Sequence, residues 1–257
     1  MATSAQPNGA QGRVLAVIPA RSGSSRFPGK PLAPIAGRPM IQHVVERARR
    51  ARLVSGVLVA TDDPAIKKAV EGFGGEAVLT RSDHRTGTDR VAEVAFHREA
   101  EIYVDVQGDE PLIDPGTIDA VVAAMLEEDS VSIGSPCTAI THASDIMDPN
   151  IAKVVRDFDG NALYFSRAPV PWVRDRTGSA MVRHWKHIGL YAFRRAALLE
   201  FPTLPPGDLE RAEQLEQLRW LENGYRVRMI ESEYDAIGVD VPGDIERVEK
   251  LLREGSE

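Results

Sequence analysis

Short apolar runs alternating with helix-length segments constrain this chain more than any other feature. Val14 to Pro19 is a β-type run, and Pro39 to Arg52 is amphipathic, with Met40, Val44 and Ala48 on one side. Val57 to Ala60 comes next and meets Thr61-Asp62-Asp63-Pro64, an acidic cap before a proline at the first helical position. A helix over 65–73 stops at Gly74-Gly75. Glu76 to Thr80 reads as a strand, Asp89 to Ala100 as a helix, and Ile102 to Gln107 as a strand. This order predicts an α/β fold with a mostly parallel central sheet and helices on both faces.

Past Pro111 the alternation loosens. A helix over 115–128 and a strand over 131–138 continue the core. The stretch around 161–207 holds short β-like pieces with prolines, tryptophans and basic residues, which predicts a smaller mixed-sheet insertion. Asp208 to Asn223 reads as one helix closed by Gly224, followed by a strand over 226–231 and a helix over 242–253. Residues 1–12 are rich in Ala, Ser, Gln, Pro, Asn and Gly and read as a disordered tail, leaving 13–257 as a single domain.

A formal charge of −7 argues against nucleic acid or an anionic membrane surface as partner. No run reaches the length of a membrane span, and the opening residues lack a signal-peptide pattern, so the expected location is the cytoplasm. The single cysteine, Cys137, excludes an intrachain disulfide and reads as a buried structural thiol.

An acidic protein that handles polyphosphate must gather its cations locally. The loop after the first strand, Ala20 to Lys30, does so with Arg21, Arg26 and Lys30 among glycines and serines whose backbone N–H groups can face phosphate oxygens. It matches neither the Walker pattern, since Pro31 follows Lys30, nor a dinucleotide fingerprint, and by itself it could be a basic turn. Asp109 in "VQGDEP" lies just past an apolar strand, where it could hold Mg²⁺ or only shape a turn before Pro111. Asp240 in "GVDVP", ahead of Pro242, reads by itself as a helix-start residue.

Three further segments carry polar candidates. In "YFSRAPVPW", Arg167 could clamp a carboxylate or form a salt bridge. In "KHIGLYAF", His187 and Tyr191 share one face of an expected strand. On the 208–223 helix, Glu213, Glu216 and Gln217 share a polar side, with Leu215, Leu218 and Leu221 facing the core.

The stretch "VIPARSGSSRFPGKPLAPIAGRPMIQHVVERA" resembles the opening of the 3-deoxy-manno-octulosonate (Kdo) cytidylyltransferases, or CMP-Kdo synthetases. The resemblance recurs in order at "LTRSDHRTGTDRVAEV", "VDVQGDEPLI", "NIAKVV", "LYFSRAPVPW", "KHIGLYAF", "LEQLRWLENG" and "GVDVPGDIERV". It implies a nucleotide-diphospho-sugar-transferase-like domain, assembled as a homodimer through the insertion, that transfers CMP from CTP to a 3-deoxy-2-keto sugar acid, for lipopolysaccharide biosynthesis, a capsule or a specialised metabolite. It implies Mg²⁺ on Asp109 and Asp240, with Arg21 and Lys30 also catalytic. Arg21, Arg26, Lys30, Arg81, Thr86, Gly87 and Gln107 would bind the nucleotide, in a segment whose own residues lead into a helix capped near Thr88 or Asp89. Arg167, His187, Tyr191, Glu213, Glu216 and Gln217 would bind the sugar. This chain departs from the family pattern at Gly207, at Lys186 and over 175–185, all bordering the expected sugar site. Activation of an amino-octulosonate or a nonulosonate, and a catalytically silent nucleotide sensor, are the rival readings.

Overall fold

The computed structural model describes residues 13–21, 23, 27–174, 182–235 and 237–254; the 1–12 tail lies outside it. The first half runs β1 (Val14–Ala20), β2 (Pro34–Ile35), β3 (Arg38–Pro39), α1 (Met40–Ala48), β4 (Gly56–Thr61), α2 (Pro64–Gly72), β5 (Glu76–Leu79), α3 (Gly87–His97), β6 (Ile102–Val106), α4 (Pro115–Glu127) and β7 (Ile133–Ala139). The second half runs α5 (Ala143–Met147), β8 (Lys153–Arg156), β9 (Ala162–Ser166), β10 (Trp185–His187), β11 (Leu190–Arg194), α6 (Arg195–Glu200), α7 (Asp208–Glu213), α8 (Gln217–Glu222), β12 (Arg228–Glu231) and α9 (Asp244–Glu254).

One ten-stranded sheet organises the chain in the order β5-β4-β1-β6-β11-β7-β10-β8-β9, with β12 paired to β7. Its first four strands are parallel, as the β/α alternation requires. Antiparallel pairing begins where β11 lies against β6, and the insertion strands extend the same sheet. β2 and β3 form a separate two-stranded hairpin.

Alternation along β1 sorts its side chains between two cores. Val14, Ala16, Ile18 and Ala20 pack with Ile41 and Val44 of α1, Ile66 of α2 and Val121 of α4. Val17 faces the other way, toward Val91 and Ala95 of α3 and Leu218 and Trp220 of α8. Each fully buried Val, Leu or Ile among them contributes about 1.5–3 kcal/mol of burial. Asp63 caps α2 as its sequence suggests, accepting from the Ala65 N–H at 2.7 Å. Cys137 is buried in the second core, and burial pushes its thiol up to about 11, as suits a structural residue.

Candidate active site

The carboxyl end of the parallel strands opens into a cleft of about 240 Å³. β1 delivers Arg21 to it, and Gly29, at φ 72, turns the chain into the 3₁₀ turn that carries Lys30. The turn after β6 presses against β1 so closely that a Cβ on Gly108 would lie 2.9 Å from the Pro19 carbonyl oxygen. That approach sets Asp109 against Lys30, whose Nζ lies 2.6 Å from Asp109 Oδ2. Val239 N–H donates to the Asp109 carbonyl at 2.9 Å, drawing the segment before α9 to the same place. Lys30 Nζ donates to the Val239 carbonyl at 2.7 Å and lies 3.8 Å from Asp240 Oδ1. The helix-start role weighed for Asp240 falls to Asp244, whose carboxylate accepts from the Asp240 and Val241 N–H groups. Asp240 is left facing the cleft.

On the opposite wall, α3 begins at Gly87, two residues before the expected Asp89. Thr86 is its N-cap: Thr86 Oγ1 accepts from Asp89 N–H at 3.1 Å, and the Asp89 carboxylate accepts from Thr86 N–H at 3.2 Å. The cap expected at Thr88 or Asp89 thus moves to Thr86, because Asp89 fits the reciprocal position of a capping box. Gly87 packs against β1, where a Cβ would meet Pro19 at 3.2 Å.

Arg21, Lys30, Thr86, Gly87, Gln107, Asp109 and Asp240 therefore line one cleft. Arg26 lies outside the described residues. Arg81 is not in the cleft: its guanidinium is exposed and paired with Asp83 at 2.6 and 2.9 Å. His84, Arg85 and Arg90 complete the wall without having been singled out. Arg90 is buried and donates to Thr80 Oγ1 and the Arg81 carbonyl, and His84 pairs with Glu93. The sequence signal for all three is their place in or beside the "SDHRTGTDR" segment.

Behind the cleft lies a polar cluster within the hydrophobic interior. Asp105, fully buried at the end of β6, accepts from Gln107 Nε2 at 3.0 Å and faces Thr88 Oγ1 at 3.5 Å. Burial, with the nearby Glu216 charge, holds its carboxyl well above the usual range. Glu216 is also raised by burial, while a hydrogen bond from Thr88 Oγ1 at 2.6 Å opposes the shift. Glu110, beside Asp109, is 8% exposed and pushed up to about 8, first by burial and then by Asp109. Asp105, Glu110 and Thr88 were not singled out as site residues; an acid inside the apolar "YVDV" run was the available signal for Asp105.

His187 and Tyr191 stand together, ring centroids 5.4 Å apart, but not on one strand. His187 ends β10 and Tyr191 belongs to β11, with Gly189 between them. Ser135 Oγ donates to the Leu190 carbonyl at 2.8 Å, so it accepts from His187 Nε2 at 2.8 Å, and Gln217 Nε2 faces the ring's Nδ1 at 3.3 Å. That arrangement assigns a neutral imidazole protonated at Nε2, and burial pushes its pKa down to about 3.

The single helix expected over 208–223 is two short helices. Gln214 takes a left-handed conformation, φ 53, between α7 and α8. Glu213 therefore parts from Glu216 and Gln217 instead of sharing a face with them. Its carboxylate accepts from Ser166 Oγ at 2.6 Å, Arg167 N–H at 2.8 Å and Tyr164 OH at 3.3 Å. The kink frees carbonyls that a continuous helix would bond, and Arg167 takes them: Nε donates to Glu213 O at 2.7 Å and Nη2 to Gln214 O at 3.3 Å. With Nη1 on Pro149 O at 2.9 Å, Arg167 acts as a brace for this kink rather than an unengaged clamp. The fully buried Lys153 supports the same region, donating to the carbonyls of Asp148, Ile151 and Arg167 at 2.6–2.7 Å.

Gly207 also has a local reason. The Glu222 carboxylate accepts from Leu209 and Glu210 N–H groups at the start of α7, and a Cβ on Gly207 would lie 2.1 Å from it. Lys186 pairs with Asp235 at 2.7 Å. Most of the rewritten 175–185 stretch lies outside the described residues.

Comparison with known proteins places these features in context. A cytidylyltransferase family model matches residues 15–231. The 3-deoxy-manno-octulosonate cytidylyltransferase of Geobacter sulfurreducens is 53% identical over 248 residues, covering 93% of this chain and 99% of the relative. The enzyme of the same name from Solibacter usitatus is 52% identical over 241 residues, covering 94% and 95%. Among solved structures, a CMP:2-keto-3-deoxy-manno-octonic acid synthetase complexed with CTP superposes with a TM-score of 0.90 at 44% identity, covering 95% of this chain and 99% of that one.

Proposed function

This chain belongs to the cytidylyltransferase family, in its 3-deoxy-manno-octulosonate branch, and we propose from that membership and the cleft geometry how it works. It is a nucleotidyltransferase that transfers CMP from CTP to the anomeric hydroxyl of 3-deoxy-D-manno-octulosonate, releasing pyrophosphate. The observation that carries the mechanism is the meeting of Lys30, Asp109 and Asp240 in one cleft with Arg21 and the start of α3.

Asp109 and Asp240 suit a divalent cation. Both are partly exposed carboxylates at the carboxyl end of the sheet, close enough to share one ammonium. Two carboxylates fit Mg²⁺, which keeps water and phosphate oxygens as its other ligands, and among the described residues no cluster of three or more His, Cys, Asp or Glu groups stands ready to hold a metal. Bound there, Mg²⁺ would neutralise phosphate charge and make the sugar hydroxyl more acidic.

The chain's own groups do the rest. Arg21 and Lys30 offset the charge of the triphosphate and of the departing pyrophosphate. The Thr86–Gly87 backbone and Gln107 stand where a cytidine would be held. Glu216, Gln217, His187 and Tyr191 form the deeper polar group suited to the sugar hydroxyls, and Arg167 and Glu213 hold that group's backbone in place. No side-chain nucleophile is required.

Leu163 and Trp172 are exposed on the insertion, with Phe158 exposed just ahead of it, and they support a homodimer there. No helix among the described residues is long and apolar enough to cross a membrane, and a cytoplasmic role in supplying lipopolysaccharide assembly is in keeping with the reading.

Pyrophosphate release with CTP, Mg²⁺ and a panel of 3-deoxy-2-keto sugar acids tests it, with UTP and metal-free controls. Release with CTP and 3-deoxy-manno-octulosonate is expected. Release with only another acid would move the specificity to a related ulosonate. CTP binding without release from any acid would favour a sensor.

A further inference from the structure

The acids of the cleft already hold a cation of the chain. The Lys30 ammonium lies 2.6 Å from Asp109 Oδ2 and 3.8 Å from Asp240 Oδ1, and donates to the Val239 carbonyl at 2.7 Å. The Lys30 side chain is 12% exposed, against 36% for Asp109 and 58% for Asp240, so it sits beneath the two acids on the protein side. Its seat is built from both ends of the chain. Gly29 sets the turn, and Phe27, Ile35 and Met40 pack with Val239 and Val248, joining the flanks of Lys30 to the segment before α9.

An ammonium in contact with Asp109 opposes a second cation at the same carboxylate, because like charges a few ångströms apart in a partly enclosed cleft repel strongly. It also offsets the mutual repulsion of Asp109 and Asp240. The pair is thus held ready, yet masked. A triphosphate changes the balance, since its oxygens enter the cleft that Lys30 and Arg21 line and give the flexible lysine another partner.

Resting on the cytidylyltransferase reading, we propose that Lys30 is a resident counter-cation for the metal-binding acids. In the nucleotide-free protein it masks Asp109 and Asp240, and it releases them to a divalent ion as it turns to the triphosphate. Metal and nucleotide then bind with positive coupling, each removing a cost the other would otherwise meet. Lys30 is in this sense a positioning residue before it touches phosphate.

The test is Mn²⁺ binding to the full-length, nucleotide-free protein, followed by the electron paramagnetic resonance of the free ion. Lys30→Met should bind Mn²⁺ at least about tenfold tighter than the parent, inside the usual range for coupled sites. Lys30→Arg, which keeps the charge, should remain close to the parent. Arg21→Met, which removes a cation from the same cleft, should gain little. Lys30→Gln repeats the comparison if the methionine variant does not fold. Equal affinity for parent, Lys30→Met and Lys30→Gln would overturn the proposal. So would an equal gain in Arg21→Met, which would show a general field effect. Adding Asp109→Asn to Lys30→Met should abolish the gain; a gain that survives would overturn both the mask and the metal assignment. Failure of the parent to release pyrophosphate with any sugar acid would instead strike the transfer reading, leaving the Mn²⁺ comparison interpretable.

Discussion

Thr88 Oγ1 donates a 2.6 Å hydrogen bond to Glu216 Oε1, fastening the start of α3 to the start of α8 across 128 residues of sequence. The wall suited to the nucleotide and the polar group suited to the sugar share this contact. Thr88→Val keeps the shape and removes the hydroxyl, leaving a buried carboxyl with Thr86 as its remaining hydroxyl donor. The loss should be about 1–3 kcal/mol in denaturant unfolding, with KM for the sugar acid rising more than that for CTP. An unchanged midpoint would show that the contact contributes nothing.

Glu110 should make stability fall as pH rises. Its folded pKa, about 8, lies above its ordinary 4.5, so folding favours the protonated form. Below 4.5 both states are protonated and there is no penalty; between 4.5 and 8 the unfolded chain ionises while the folded one resists. Glu110→Gln should match the parent near pH 4.5 and exceed it by up to a few kcal/mol at pH 8, as unfolding curves across that range would record. Parallel curves would refute the assignment.

His187 predicts the opposite slope. Its ring is held neutral with a pKa near 3, below the ordinary 6.5, so stability is lost as pH falls through that window. His187→Gln should be less stable at pH 7 by about 1–2 kcal/mol from lost hydrogen bonds, yet decline less steeply toward pH 4. Thermal unfolding from pH 7 to 4 reads both effects, and an equally steep decline would place the acid sensitivity elsewhere.

Gly207→Ala would put a Cβ on the Glu222 carboxylate, displacing it from the two N–H groups at the start of α7. The cost should be about 1 kcal/mol, typical of a lost helix cap. In a Glu222→Ala background the same change should cost little, and a double-mutant cycle in urea measures the difference. Additive losses would mean that Glu222 is not the reason for the glycine.

The parallel half of the sheet was legible because β1, β4 and β6 are buried on both faces and so read as continuous apolar runs between cap and stop signals. The convergence of Lys30, Asp109 and Asp240 was legible only through the family resemblance. Composition cannot reveal that Gly108 lets the β6 turn press against Pro19. The break at Gln214 was not legible, because "DLERAEQLEQLRWLENG" has good helical periodicity throughout. What breaks it lies elsewhere in the chain: Arg167 takes the carbonyls that the kink frees, and Ser166 and Tyr164 hold the Glu213 carboxylate. Asp105 was missed for a similar reason. An acid in a buried strand becomes informative only when Thr88 and Glu216, distant in sequence, are found beside it.

The contact of Lys30 with the Val239 carbonyl also sets a schedule for biosynthesis. Cleft residues as early as Arg21 emerge first from the ribosome, but their counterpart at 239–240 is translated after almost everything else. A nascent chain therefore has no complete pocket while β7 to β12 are still being made. A message truncated just before residue 239 would encode every strand of the sheet yet leave the cleft without its Val239–Asp240 wall.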